Sequence, residues 1–138
     1  MVKRFVVLLV LLFYTGSICA DDTNVLERIE SSARAWLALT DSGQYTDSWE
    51  KASSLLQKGT SKSEWIKTIG AIRKPLGSME ARYIATAGTT DSLSGLPDGE
   101  YVVVQFYTKF KRQVLALETL TMAKEADDTW RVAEYAFK

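Results

Sequence analysis

The chain has 138 residues, with 17 basic and 17 acidic side chains and therefore no formal net charge. A protein whose main task is to bind nucleic acid needs a basic surface that neutralises phosphates, so the balanced charge argues against nucleic acid as a partner. There is no histidine, and Cys19 is the single cysteine. This composition excludes the Ser-His-Asp and Cys-His catalytic designs and the usual zinc sites. The sequence assigns no catalytic residue, metal ligand or cofactor.

The first 20 residues have the organisation of a secretory signal peptide. A short basic segment precedes an unbroken apolar run over residues 5–13, and a bilayer core needs about 20 helical residues. Ile18 and Ala20 occupy the −3 and −1 positions of a cleavage site, so cleavage is predicted between Ala20 and Asp21. The protein is therefore predicted to be periplasmic, with no stable membrane span after cleavage. Residues 21–138 are predicted to form a single domain.

Two alternatives to cleavage concern the same segment. One is an uncleaved anchor helix, which the short apolar run disfavours. The other is a lipoprotein acylated on Cys19. Bulky Ile18 stands where a small residue is wanted directly before that cysteine, so lipidation is disfavoured as well.

The first half of the mature chain is predicted to form three amphipathic helices. Apolar residues recur at helical spacing over residues 25–40, and the turn sequence Asp41-Ser42-Gly43 ends this pattern. A second helix is expected over residues 44–59. The third begins at Ser61-Lys62-Ser63-Glu64, which has the spacing of a capping box, and it ends before Pro75.

From Ser78 onward the apolar pattern changes to period two, which is typical of strands. Four strands are predicted, over residues 79–87, 100–110, 113–125 and 130–137. Short connections after the second and third strands favour antiparallel hairpins, whereas a long polar segment over residues 88–99 joins the first two. The sequence therefore predicts an α+β domain, in which three N-terminal helices pack on a curved four-stranded antiparallel sheet.

The second predicted strand carries apolar side chains on both faces. A turn centred on Lys111-Arg112 gives a register with the third strand that places Gln105 opposite Glu118, and one bulge would shift it. This register assigns the residues of the two strands to two faces. One face contains Val102, Val104 and Phe106 of the second strand with Leu115, Leu117, Thr119 and Thr121 of the third. The other contains Tyr101, Val103, Gln105 and Tyr107 with Ala116, Glu118, Leu120 and Met122. The second face needs cover from a partner or from a second copy of the chain, and the specific prediction is a homodimer formed through the sheet.

Six residues are candidates for binding a ligand or a partner. They are Arg73, Arg82, Tyr101, Gln105, Tyr107 and Glu118. The three charged members stand among apolar neighbours, where a charge is costly unless it is paired. An arginine and an acid at a cavity mouth would suit an anionic or polar small ligand, whereas a simple Arg–Glu pair would tie the last helix to the sheet.

The mature sequence resembles the bacterial domain-of-unknown-function family 4019 over residues 25–138. The matching segments include Ala35-Trp36-Leu37, Asp41-Ser42-Gly43, Arg73-Lys74-Pro75-Leu76-Gly77, Leu96-Pro97-Asp98-Gly99-Glu100-Tyr101 and Trp130-Arg131-Val132. The chain departs from the family pattern at Asp128-Thr129, where Asp-Gly is usual. The resemblance implies an exported protein and leaves its activity open. The order of helices and sheet is also similar to the cystatin-like or nuclear-transport-factor-like cone, as an analogy of fold.

Two functional hypotheses follow from the sequence. The first is an exported, non-enzymatic module that binds a partner protein or a small ligand. The second is a cavity-bearing enzyme of the lyase or isomerase type, which uses arginine, glutamate and tyrosine in a cone-shaped pocket. Charged groups that converge unpaired on an open cavity favour the enzyme, and groups that are paired and closed off argue against it.

Overall fold

The computed structural model describes residues 20–138, except for the side chains of residues 20–22, 113 and 114. The predicted signal peptide up to and including Cys19 lies outside the described residues. Its cleavage and the periplasmic localisation of the protein therefore stay predictions. None of the described helices combines the length and the apolar character needed to cross a membrane.

Helices occupy the first half of the described chain. They are α1 (Ala20–Asp41), α2 (Tyr45–Glu50), α3 (Ser54–Gly59) and α4 (Lys62–Arg73), followed by a 3-10 turn over Lys74–Leu76. Gly43 has the positive φ of 76° that ends α1, as the sequence predicted. The Ser61 hydroxyl accepts a hydrogen bond from the Glu64 amide at 3.3 Å and so caps α4.

The segment 44–59, predicted as one helix, forms two short helices. The break lies at Ser53, whose extended backbone (φ −60°, ψ 149°) does not continue a helix. Its hydroxyl accepts a hydrogen bond from the Leu55 amide, and its own amide donates to the carbonyl of Val132 at 2.9 Å. A local cap and a bond to the sheet therefore replace the helical bonds at this position.

The second half of the chain forms one antiparallel sheet. Its strands are β1 (Met79–Thr90), β2 (Tyr101–Phe110), β3 (Gln113–Lys124) and β4 (Trp130–Phe137), in the order β1-β2-β3-β4. The helices pack on one face, where the main core contains Ile29, Leu37, Ile69, Val104, Phe106 and Leu120. The predicted α+β architecture is confirmed. Burial of each large apolar side chain in this core contributes about 1.5–3 kcal/mol.

The register of β2 and β3 differs from the predicted one. Phe106 pairs with Glu118, and Gln105 pairs with Thr119 instead of Glu118. The cause is an irregularity next to the hairpin, where Thr108 pairs with Ala116 but Phe110 pairs with Gln113. The extra residue belongs to β3 and moves the side chains from Ala116 onward to the opposite face. Glu118 therefore lies on the core face of the sheet.

Candidate functional site

Four charged side chains meet between the helices and the sheet, and we call them the ionic cluster. They are Asp41 at the end of α1, Arg73 at the end of α4, Arg82 on β1 and Glu118 on β3. The side chains of Arg73, Arg82 and Glu118 are 4%, 5% and 0% exposed, and that of Asp41 is 16% exposed. Two cations balance two anions, as the burial of charged groups requires.

Asp41 accepts hydrogen bonds from both arginines. Arg82 binds it through two parallel bonds, from Nη1 to Oδ2 at 2.7 Å and from Nη2 to Oδ1 at 2.9 Å. Arg73 Nη2 donates to Oδ1 at 2.5 Å. Two-point contact between a guanidinium and a carboxylate fixes the orientation of both groups, and this geometry joins the end of α1 to β1 and α4.

Both oxygens of Glu118 are occupied as well. Oε1 accepts bonds from Arg82 Nε at 2.9 Å and from the Thr108 hydroxyl at 2.5 Å. Oε2 accepts a bond from the Tyr135 hydroxyl at 2.6 Å. Arg73 Nη1 is 4.0 Å from the same oxygen. Both oxygens of this carboxylate are therefore engaged by protein groups, and the side chain is completely buried.

Arg73 completes the cluster on its helical side. Its Nη1 donates to the Thr40 hydroxyl at 2.6 Å, and its guanidinium lies 4.8 Å from the centroid of the Phe110 ring. Among the described residues, its Nε is the buried side-chain nitrogen that has no hydrogen-bond partner. Apart from this nitrogen, the donors and acceptors of the cluster bond to one another and to neighbouring hydroxyls.

Electrostatics around the cluster shift three pKa values. Burial alone would raise the pKa of Asp41, but hydrogen bonds and charges from Arg82 and Arg73 outweigh burial and lower it. Burial alone would lower the pKa of Arg82, and its bonds and charges toward Asp41 and Glu118 raise it instead. Burial, the charge of Glu118 and the bond to Glu118 together raise the pKa of Tyr135 far above its usual value.

The lowered pKa of Asp41 gives the protein an acid-sensitive component of stability. Because the folded pKa lies below the unfolded one, Asp41 stabilises the fold above the ordinary aspartate range, and this contribution is lost as the pH falls through the lowered pKa. We expect the free energy of unfolding to fall between about pH 5 and about pH 2, and to fall less in Asp41→Asn. Urea unfolding at both pH values measures the difference. Asp98→Asn, which alters an exposed carboxylate, should keep the wild-type pH response; a full response in Asp41→Asn would contradict this prediction.

The sequence singled out three of the four members of the ionic cluster. Arg73, Arg82 and Glu118 are brought together, paired and closed off, which agrees with the structural interpretation of these charges. Asp41 was interpreted only as part of a turn. A signal was available, because Asp41 continues the four-residue spacing of buried Ile29, Ala33 and Leu37 along α1.

The other three predicted residues lie elsewhere. Tyr101 is buried under the loop between β1 and β2, and its hydroxyl donates to the carbonyl of Pro97. Leu93 and Leu96 of this loop pack against the same buried group. Gln105 and Tyr107 lie on the sheet face that the helices do not cover. The six candidates therefore do not form one site.

The uncovered side of the sheet carries large apolar groups. Tyr83 pairs with Tyr107, and Tyr107 pairs with Leu117, so the three form a row across β1, β2 and β3. Tyr83 is 65% exposed, Tyr107 47% and Leu115 54%. We call Tyr83, Tyr107, Leu115 and Leu117 the outer face. Next to it, Gln105 accepts a bond from the Thr86 hydroxyl and donates to that of Thr119, at 2.8 and 3.2 Å.

The described residues contain no group of three or more histidine, cysteine, aspartate or glutamate side chains that could hold a metal ion. Among the described residues, the large exposed apolar side chains include two tyrosines and a leucine of the outer face. The protein is an α+β domain with a closed ionic cluster on the helical side of its sheet and an apolar outer face on the other.

Comparison with known families agrees with the resemblance found in the sequence. The family model described as "Protein of unknown function (DUF4019)" matches residues 32–135, and the chain belongs to this family. No curated protein and no solved structure gives a significant match. The similarity to a cystatin-like or nuclear-transport-factor-like cone therefore stays a prediction.

Proposed function

We propose that this protein is an exported, non-enzymatic binding module and that it binds its partner through the outer face. The observation that carries the proposal is the row of Tyr83, Tyr107 and Leu117, with exposed Leu115 beside it. The uncovered face of an antiparallel sheet ordinarily carries polar residues. Large exposed aromatic and aliphatic side chains are typical of protein interfaces. Export is supported by the basic, apolar and small-residue segments that open the sequence.

The ionic cluster supports a non-enzymatic role. General acid–base catalysis needs a group that reaches the substrate and holds a proton it can exchange. Both oxygens of Glu118 are engaged by Arg82, Thr108 and Tyr135, and the cluster is closed between helices and sheet. The pocket of free arginine, glutamate and tyrosine groups that the enzyme hypothesis requires is not formed by these residues. We assign the ionic cluster a structural role, which is to stabilise the packing of the helices on the sheet.

The partner proposed for the outer face is a second copy of the chain. In a two-fold dimer the same surface patch of each subunit contacts that of the other, so a patch with a net charge would be repelled by the identical patch. The row Tyr83–Tyr107–Leu117 carries no charge, and the neighbouring Gln105 is satisfied by Thr86 and Thr119. At the rim, Lys109 is paired with Glu80 at 3.3 Å. Such a surface is compatible with isologous association.

Tyr107→Lys is expected to abolish self-association without unfolding the protein. The side chain is half exposed, so a lysine can reach water in the monomer, whereas in the dimer it places two like charges at the centre of the interface. Light scattering over a concentration series should show the wild-type mass rising toward that of a dimer and the variant remaining monomeric. Ala71→Lys, which adds the same charge on an exposed position of α4, should behave as wild type. A wild-type protein that remains monomeric at all concentrations would contradict the proposed partner.

A further inference from the structure

A groove opens at the end of the helix–sheet layer, on the opposite side of the sheet from the outer face. It is lined by Val25, Leu26 and Ile29 of α1, by residues 89–91 and 99–102, and by Trp130. Its volume is about 830 Å³, within the range of small-molecule sites. None of the four charged members of the ionic cluster lines it, so this groove is separate from the closed interior.

The floor of the groove is apolar and aromatic. Ile29 and Val102 are buried members of the main core, and Trp130 packs against that core while remaining partly exposed. Leu26 is 40% exposed at the side of the groove. An aromatic or aliphatic body that covers Leu26 and Trp130 would remove this apolar surface from water.

The charges at the groove are acidic. Asp91 and Glu100 belong to the lining, and no lysine or arginine is among the described residues that line it. Lys124 lies 3.3 Å from Glu100, but it is also shared with Asp128 at 3.6 Å. Asp91 has no ion pair within the described part of the chain. An uncompensated carboxylate in the lining of an apolar groove favours a cation over an anion.

Trp130 differs from the other tryptophans in its hydrogen bonding. The indole nitrogens of Trp36, Trp49 and Trp65 donate to Ser48, Thr60 and Ser48 respectively, at 2.8, 2.8 and 2.9 Å. The hydrogen bonds among the described residues include none from the indole nitrogen of Trp130. The ring is held against the core, and no hydrogen bond of its N–H to the described residues fixes it there.

We infer that the groove binds a small cationic amphiphile, an ammonium group carried on an aromatic body. The body packs on Leu26 and Trp130, and the ammonium group lies toward Asp91. This site lies on the helical side of the sheet, so it goes beyond the proposed function of the outer face and does not depend on it. A monomeric protein would still possess the groove.

Three indole compounds test the inference, because they share a body and differ in charge. Tryptamine is cationic, tryptophol neutral and indole-3-acetate anionic. Titrated into ¹⁵N-labelled protein, tryptamine should shift the amides of Thr90 and Val102 and the indole signal of Trp130, which is assigned by its loss in Trp130→Phe. Its affinity should exceed that of indole-3-acetate by about tenfold or more.

Asp91→Asn provides the matched variant. It should weaken tryptamine binding by about three- to tenfold and leave tryptophol binding unchanged, since it removes only the charge. Glu80→Gln, which removes an exposed carboxylate at the other end of β1, should leave all three affinities unchanged. Absence of tryptamine binding at these signals, equal affinity for the anionic compound, or an unchanged tryptamine affinity in Asp91→Asn would each overturn the inference.

Discussion

Glu118→Gln is expected to lower the free energy of unfolding by about 3–5 kcal/mol, because one partner of a buried ion network is removed. The substitution keeps the shape of the side chain but leaves two buried guanidiniums, those of Arg73 and Arg82, with Asp41 as their remaining counter-ion. A domain of this size has only about 5–15 kcal/mol of stability, so the loss is a large part of the total. Urea unfolding near neutral pH, followed by circular dichroism, measures it.

Glu134→Gln is the matched control for this variant. It makes the same chemical change on an exposed position of the adjacent strand β4, and a surface substitution of this kind changes stability by about 0.5 kcal/mol or less. If Glu118→Gln were as mild as its control, the ionic cluster would not be the buried structural element that its distances indicate.

Leu120→Ala is expected to cost about 2–5 kcal/mol, the range for removing a large side chain from a packed core. Leu120 is completely buried opposite Val104, among the residues that pack beneath the helices. Thermal or urea unfolding of the variant gives the value directly.

Leu117→Ala makes the same change three residues away and distinguishes the two registers of β2 and β3. Leu117 pairs with Tyr107 on the outer face and is only partly buried, so its truncation should cost about 1 kcal/mol. The register predicted from the sequence places Leu117 with Val104 and Phe106, and Leu120 on the opposite side. A larger loss for Leu117→Ala than for Leu120→Ala would therefore favour that register and contradict the bulge in β3.

Local pattern was enough to predict most elements of this fold. The 3.6-residue spacing of apolar side chains defined α1, the Ser61 cap and Pro75 bounded α4, and period two defined the strands. Features that depend on distant partners were missed. The break at Ser53 rests on its bond to Val132, and the bulge in β3 has no marker in the sequence such as a glycine or proline.

The members of the candidate site were also predicted only in part from the sequence. A buried charge needs a partner, and this rule selected Arg73, Arg82 and Glu118 although the register placed Glu118 on the wrong face. Asp41 was missed because aspartate before Ser-Gly is also a common turn sequence. The outer face was anticipated as a second apolar layer, but Tyr101 does not belong to it, since the preceding loop between β1 and β2 folds over that residue and buries it.

Amide NMR spectra of the ¹⁵N-labelled protein, recorded over a dilution series, test most directly whether the outer face is the binding surface. If two copies associate through it, signals of Tyr83, Gln105, Tyr107 and Leu117 should move with concentration, and those of Arg73 and Glu118 should not. The same shifts should be absent in Tyr107→Lys. Spectra that do not change with concentration, or changes centred on the ionic cluster, would contradict the proposed role of the outer face.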